Sequence, residues 1–262
     1  MGSGALQFQQ NKVVTNWGLS QRTAGDVFVF DDFMNEAFDA DGPWDAVQTV
    51  NAGTAWVKLD TAGQPSAGHG GWIAATTDTA SGDTEALFGP LAFKAERAVA
   101  GRLMVFEALL LLPSITDVGM SAGFTDARTE TAVVAGFTTA TWTTTADNGV
   151  HMNWDSSATT DAIRGIGTKA TVDTAAVVNT GVNPTADKPF KFRIIVDSAG
   201  MAYFASVSPA DTSARDREPE LFGSVADAVT TTTLLCPYIE VTTRTNGAKT
   251  LECDYILAGC AR

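Results

Sequence analysis

The stretch "FKFRIIVDSAGMAYFASV", residues 190–207, alternates in character with a period of two on both sides of a turn. The alternation runs through 190–196 and resumes at Met201 after the turn, as expected for two extended segments. Gly200 supplies the permissive backbone that a tight reversal needs, and Asp197 can accept hydrogen bonds within the turn. The stretch therefore predicts a β-hairpin. Its expected core face carries Phe190, Phe192, Ile194 and Val196.

Strand-like patterns also occur on both sides of this hairpin in the sequence. The segment "GRLMVFEALLLL" at 101–112 is apolar on both faces, which predicts a central strand that is covered on both sides. Further strands are predicted in "DVFVFDDF", "AWVKLD", "GGWIAAT", "VGMSAGF", "TAVVAGFTTATW", "GVHMNW" and "ATVDTAAVV". More than ten short strands with hardly any helix predict an all-β fold, a two-sheet antiparallel jelly-roll sandwich. We expect Phe106, Phe192, Ile194 and Ile239 in its core.

Two local patterns near the C-terminus carry predictions of their own. Asn246-Gly247 separates "LLCPYIEVTTR" from "KTLECDYIL" and is a strong short signal for a hairpin. Residues 208–229 contain two prolines and a mixed charge cluster, which favours a long solvated connection with a short helix near 219–228. The alternative for 208–229 is a projecting loop that contacts a partner.

The chain divides into an extended N-terminal arm, residues 1–26, and a sandwich domain, residues 27–262. The arm is rich in Gln and Asn, and its apolar residues are too sparse to form a core of their own. We therefore expect the arm to bind a neighbouring chain, with Phe8, Trp17 and Leu19 as anchors in a partner's pockets.

Composition restricts the classes of partner. Seventeen basic residues against thirty acidic residues give a formal net charge of −13, which disfavours binding to nucleic acid and to anionic membrane surfaces. No run of eighteen apolar residues is present, and the N-terminus lacks the pattern of a secretory signal. We expect a protein that stays where it is made or is released by cell lysis.

Residue types that carry chemistry are few. Cys236, Cys253 and Cys260 lack metal-site spacing and are interpreted as small hydrophobic residues in C-terminal strands. No cofactor is predicted. His69, in "AGHGGW", lacks the nucleophile elbow that an esterase would need, and His151 is expected on the outer face of its strand.

Carboxylates give two weak patterns. Glu252 and Asp254 have the first half of the spacing found in sandwich glycosidases, but the third carboxylate is missing, so no hydrolase activity is expected. Asp39, Asp41 and Asp45 have the oxygen ligands of a calcium loop without the closing glutamate, so a solvated acidic turn is favoured. Trp44, Trp56, Trp72, Trp142 and Trp154 are expected mainly as packing residues.

Residues 27–262 resemble the concanavalin-like, laminin-G-like sandwiches of tailed-bacteriophage virion proteins. The matching segments are "FVFDDF", "GGWIAAT", "RLMVFEALLLL" with "DVGMSAGFTDA", "FKFRIIVDSAGMAYF", "PYIEV" and "KTLECDYILAGCAR". The resemblance implies a structural virion protein, a capsid decoration or cement protein that attaches to the major capsid protein or to another virion protein. It also implies a homo-oligomer on the capsid surface, made in the host cytoplasm, with no catalytic residues.

Two other classes stay open. A carbohydrate-binding or host-recognition module of a head fibre or tail would need exposed aromatic residues beside Asp and Asn. A sandwich-fold glycosidase would need two carboxylates about 5–10 Å apart in one cleft.

Overall fold

A computed structural model of the protein describes residues 27–31, 44–48, 53–58, 71–98, 103–128, 133–135, 143–179, 183–207, 214 and 217–260. The strands are β1 (Val27–Asp31), β2 (Asp45–Gln48), β3 (Thr54–Lys58), β4 (Ile73–Thr76), β5 (Thr84–Phe88), β6 (Met104–Leu111), β7 (Val118–Thr125), β8 (Val134–Ala135), β9 (Thr143–Thr144), β10 (Gly149–Asp155), β11 (Ile163–Lys169), β12 (Val172–Asp173), β13 (Val177–Asn179), β14 (Phe190–Val196), β15 (Ala202–Val207), β16 (Glu220–Val225), β17 (Cys236–Thr243) and β18 (Thr250–Cys260). In the part of the chain described, the one helical element is a 3₁₀ turn, Ala95–Arg97.

The strands form two eight-stranded antiparallel sheets. Sheet 1 has the order β16-β15-β14-β6-β18-β4-β3, with β1 paired to β18. Sheet 2 has the order β12-β11-β10-β7-β17-β5-β2, with β13 paired to β11. Strands β8 and β9 form a separate two-stranded ribbon. The predicted two-sheet antiparallel architecture is confirmed.

The core lies between the sheets, where both contribute alternate side chains. Phe106, Phe192, Ile194 and Ile239 are all fully buried there, as predicted. Strand β6 is buried along its whole length and lies between β14 and β18, so it is the central, doubly covered strand.

The hairpin predicted over residues 190–207 is formed by β14 and β15. Its register pairs Ile194 with Phe204, and the Asp197 carboxylate accepts hydrogen bonds from the backbone N–H of Ala199 (2.9 Å) and of Met201 (3.0 Å). Gly200 has φ of +80°, a value that glycine adopts without strain.

The hairpin predicted at Asn246-Gly247 is wrong. Strand β17 belongs to sheet 2, where it pairs with β5 and β7, and β18 belongs to sheet 1, where it pairs with β6, β4 and β1. Both sides of each strand are therefore occupied by other partners. Gly247, with φ of +126°, provides a reversal that carries the chain from one sheet to the other. A turn signal specifies the reversal and not the partner of the following strand.

The helix predicted near 219–228 is also wrong. Residues Glu220–Val225 form strand β16, which pairs with β15 at the edge of sheet 1. Phe222 packs against the core and contacts the ring of Phe204, so the segment follows the sheet rather than a helical face. The connection before it is not simply solvated, because Ala214 is buried among side chains on sheet 1.

The three cysteines are buried, free thiols in β17 and β18, as predicted. No helix in the described ranges is long and apolar enough to cross a membrane.

Candidate functional site

The outer face of sheet 2 is polar although it is buried. Strand β10 directs Val150, Met152 and Trp154 into the core, so its alternate residues point to the other side of the sheet. The register of β11, β10, β7, β17 and β5 brings the outward-pointing side chains of these five strands side by side. The residues on this outer face are His151, Asn153 and Asp155 of β10, Ser121 and Thr125 of β7, Tyr238, Glu240 and Thr242 of β17, Thr84 and Phe88 of β5, and Arg164 and Thr168 of β11.

A chain of hydrogen bonds runs across the middle of this face. His151 Nδ1 lies 2.9 Å from the Tyr238 hydroxyl, which donates to Ser121 Oγ at 3.2 Å. Ser121 in turn donates to one carboxylate oxygen of Glu240, and the other accepts from the backbone N–H of Val133 at 2.8 Å. We call this chain the His151 relay.

The relay fixes the state of the imidazole. Burial, and then Glu240, raise the pKa of the Tyr238 phenol, so its single proton stays in place and serves the bond to Ser121. His151 must therefore donate through Nδ1, which leaves Nε2 as an acceptor. Burial lowers the pKa of His151 to about 4, against a weaker opposing effect of Asp173, so the ring is neutral near pH 7. His151 lies on the outer face, as predicted, as a buried neutral histidine.

A segment of chain covers the relay. The described parts of this cover segment are residues 126–128, 133–135 and 143–148. Val133 and Ala146 pack against Phe88, Cys236 and Tyr238 on the sheet. Hydrogen bonds of Asp126 and Thr144 fix the same segment at further points.

The Asp126 carboxylate accepts hydrogen bonds from the backbone N–H of Asp147 (3.1 Å) and of Asn148 (3.0 Å). Thr144 Oγ1 donates to Asp173 at 2.7 Å. The cover segment and the sheet therefore share one polar layer.

At the far end of β10, four side chains form a patch that we call the arginine patch: Asn153, Asp155, Arg164 and Arg244. The Arg244 guanidinium lies 2.6 Å from the Asp155 carboxylate and passes over Gly119, where a Cβ atom would come within 2.5 Å of Arg244 Nη2. Arg164 stands opposite Asn153 and donates to the carbonyl oxygen of Ala162 at 3.0 Å. Burial lowers the pKa of Arg164, and the charge of Asp155 opposes this.

Three atoms of the arginine patch are buried without a hydrogen-bond partner in the described part of the chain. One of them, Asp155 Oδ2, lies in the ion pair with Arg244. The other two are an acceptor, Asn153 Oδ1, and a donor, Arg244 Nε. Buried polar groups are ordinarily paired, so an unpaired donor and acceptor on one patch point to a ligand or water that both donates and accepts.

The outer face of sheet 1 is closed by an ion-pair network. Arg193 lies 2.6 Å from Glu107 and also pairs with Glu218, and the Tyr255 hydroxyl donates to Glu107 at 2.5 Å. Lys191 Nζ donates to the backbone oxygen of Arg217 at 3.0 Å. These bonds hold Arg217 and Glu218 against the sheet.

Glu252 and Asp254 lie on β18 of sheet 1, away from the arginine patch. A bulge at Asp254 breaks the alternation of the strand, since Cys253 and Tyr255 oppose neighbouring residues of β6. The two carboxylates therefore do not follow the spacing of a glycosidase strand. Burial, and then the nearby charge of Asp187, raise the pKa of Glu252 to about 7.

The predicted site residues outside the two patches fall into three groups. Phe8, Trp17, Leu19, Asp39, Asp41, His69 and Trp142 lie outside the described residues, and Asp45 begins β2. Trp44, Trp56, Trp72 and Trp154 are buried packing residues, as predicted. Within the described ranges, no three His, Cys, Asp or Glu side chains are grouped to hold a metal ion.

Comparison with known proteins supports the fold. No family model matches the sequence, and no curated protein matches it. Among solved structures, the carbohydrate recognition domain of Emp47p aligns with TM-score 0.56 and 11% identity, over 92% of this chain and 100% of that one. Peanut lectin aligns with TM-score 0.55 and 12% identity, over 90% and 97%. A Bacillus licheniformis β-glucanase aligns with TM-score 0.54 and 9% identity, over 90% and 99%.

The predicted jelly-roll sandwich of the concanavalin-like, lectin-like kind is thereby confirmed. At these identities the likeness concerns the fold alone. A virion origin finds no support among these matches and stays a prediction.

Proposed function

We propose that this protein is a non-catalytic carbohydrate-binding module and that the arginine patch holds the sugar. The observation that carries the proposal is an unpaired acceptor, Asn153 Oδ1, and an unpaired donor, Arg244 Nε, on the same outer face of sheet 2, where Arg244 pairs with Asp155, two residues from Asn153. A sugar hydroxyl both donates and accepts, so two neighbouring hydroxyls could satisfy both atoms. Two of the proteins that share the fold are named a carbohydrate recognition domain and a lectin, which agrees with this ligand class.

The mode of binding would be hydrogen bonding rather than ring stacking. The described tryptophans are buried, so they offer no platform at the surface. Asn153 and Arg244 are themselves largely covered, and the sugar would therefore have to enter beside the cover segment and displace water or side chains there.

The absence of catalysis is part of the proposal and rests on how the carboxylates of this face are used. A glycosidase needs one carboxyl group that holds a proton and a second that attacks or activates water. Glu240 is engaged by Ser121 and Val133, and Asp155 by Arg244 and the backbone N–H of Ser157 (2.8 Å). Both carboxylates are therefore already occupied by groups of the protein itself.

The test is a glycan-array screen followed by titration of the best glycan into the wild type, Asn153→Ala and Asn183→Ala. Loss of the Asn153 contact should weaken binding by about fivefold to tenfold, the worth of one net hydrogen bond. Asn183 is exposed and distant in sequence from the patch, so its variant is the matched control. Equal affinities for all three proteins, or no bound glycan at all, would contradict the proposal.

A second candidate is the role that the resemblance to virion sandwiches implies, a homo-oligomeric capsid decoration protein. The observation that favours it is that both outer faces are closed by the chain's own segments, through the His151 relay and the Arg193–Glu107 pair. Such a sandwich would bind its capsid partner by other parts, with the arm and its Phe8, Trp17 and Leu19 as the proposed anchors. A variant without residues 1–25 should then fold and fail to attach to particles, whereas normal attachment would contradict the role of the arm.

A further inference from the structure

One oxygen of the Glu252 carboxyl group is buried where no hydrogen bond among the described residues accounts for it. Leu251 and Cys253 point into the core, so Glu252 points to the outer face of sheet 1. Its side chain is 2% exposed, and Oε2 has no hydrogen-bond partner in the described part of the chain. An unpaired buried carboxylate is costly, so this atom requires an explanation.

The charged group that acts on Glu252 is another acid, Asp187. Glu252 pairs in register with Leu111, and the backbone N–H of Asp187 donates to the carbonyl oxygen of the next residue, Leu112, at 3.0 Å. Asp187 is itself exposed. Within the described ranges, no Lys or Arg forms an ion pair with either acid.

We propose that Glu252 and Asp187 bind a divalent cation of the calcium type, a site separate from the arginine patch and independent of the proposed function. Calcium binds carboxylate oxygens, accepts water and backbone oxygens as further ligands, and would remove the repulsion between the two acids. With two charged side chains as ligands, the site is weak and fits the millimolar affinities of extracellular modules. The like charge of Asp187, added to burial, also raises the pKa of Glu252.

Trp72 makes the site observable. It precedes β4, in which Ala74 pairs with Glu252, and it lies two residues from Ala74 on the same side of the strand. Residues at i and i+2 of a strand are about 7 Å apart, so a terbium ion at Glu252 would lie within range of sensitised emission from Trp72.

The test is terbium luminescence excited through tryptophan, with competition by Ca²⁺, on the wild type, Glu252→Gln, Asp187→Asn and Glu220→Gln. Glu220 is an exposed glutamate on β16, so its variant is the matched control. The wild type and the control should show saturable emission that millimolar Ca²⁺ displaces. Either site variant should bind about tenfold more weakly or worse, because half of the charged ligands is lost.

Thermal melting provides the second readout. Ca²⁺ should raise the midpoint of the wild type and of Glu220→Gln, and it should not raise that of Glu252→Gln or Asp187→Asn. If Glu252→Gln fails to fold, exposed Asp187 still provides a variant that tests the site. Absence of a Ca²⁺ effect in the wild type, or its persistence in both site variants, would overturn the proposal and would show that Glu252 is simply a protonated acid.

Discussion

The imidazole of His151 is accommodated by Gly149, where a Cβ atom would come 2.3 Å from the ring carbon Cε1. The backbone of the same strand passes close to Gly123, where a Cβ atom would come 2.1 Å from the carbonyl oxygen of Val150. Larger residues at either place would force the ring or the backbone to move. The ring is thus tightly enclosed, which explains why burial dominates its ionisation.

This enclosure predicts a pH dependence. The folded-state pKa of His151, about 4, lies below its ordinary 6.5, so between these values the unfolded chain binds a proton that the folded chain does not. The free energy of unfolding should therefore fall as the pH drops from 6.5 to 4, by about 3 kcal/mol from this group alone.

Denaturant unfolding of the wild type and of His151→Gln at several pH values measures the effect. The other titrating groups are common to both proteins, so the difference between the two curves isolates His151. The difference should shrink or reverse toward pH 4, and parallel curves would show that the ring is not buried in its neutral form.

At the scale of elements, alternation within a strand is local information, and it predicted the β14–β15 hairpin, the doubly covered β6 and the core faces. Pairing between distant strands is not local. Asn246-Gly247 marks a reversal correctly, but β17 pairs with β5 and β7, and β18 pairs with β6 and β4. These partners are distant in sequence, so the turn does not specify them. The segment 220–225 is a strand because the edge of β15 is available to it, a fact absent from its own sequence.

The same limit applies to the candidate site. Alternation in β10 and β17 could have placed Asn153 and Glu240 on outer faces, because each lies between core residues. It could not have shown that these strands flank β7 or that Arg244, beyond the end of β17, reaches Asp155. The arginine patch depends on how β10, β7 and β17 are paired, and this pairing cannot be predicted from the sequence of any one strand.

The hairpin yields a stability prediction. Phe192 is fully buried in β14, so Phe192→Ala should lower the free energy of unfolding by about 3–5 kcal/mol. Ile195, on the opposite face of the same strand, is only partly buried and gives the matched control, Ile195→Ala. Thermal or denaturant melts measure both, and a larger loss for Ile195→Ala would mean that the faces are reversed.

The cover segment yields a second prediction. Glu240→Ala leaves the backbone N–H of Val133 and the hydroxyl of Ser121 without their acceptor, at a cost of about 1–3 kcal/mol. Hydrogen exchange should accelerate in residues 133–135 and 143–146 while β6 stays protected. Glu240→Gln keeps one acceptor oxygen and should restore part of the protection. Unchanged exchange in Glu240→Ala would show that this carboxylate does not hold the cover segment.

At the scale of the whole molecule, polar side chains on the outer faces of both sheets are covered by other segments of the same chain. Both sheets have hydrogen-bonding outer faces, and on each a stretch of chain is held by a buried charged side chain: Glu240 binds Val133 on sheet 2, and Arg193 pairs with Glu218 on sheet 1. On the arginine patch, the donor Arg244 Nε and the acceptor Asn153 Oδ1 have no hydrogen-bond partner among the described residues. We therefore propose the patch as the sugar site, apart from the cation site proposed at Glu252 and Asp187.

The most direct measurement of this claim is a nuclear magnetic resonance titration that follows the side-chain Nε–H of Arg244 and the side-chain amide of Asn153. A neutral glycan selected from the array is added to the folded protein, with the exposed amide of Asn183 as the internal control. We expect saturable shifts of the Arg244 and Asn153 signals with one common affinity, while the Asn183 signal stays in place. Binding that shifts the signals of other residues and leaves those of Arg244 and Asn153 unmoved would contradict the proposed site.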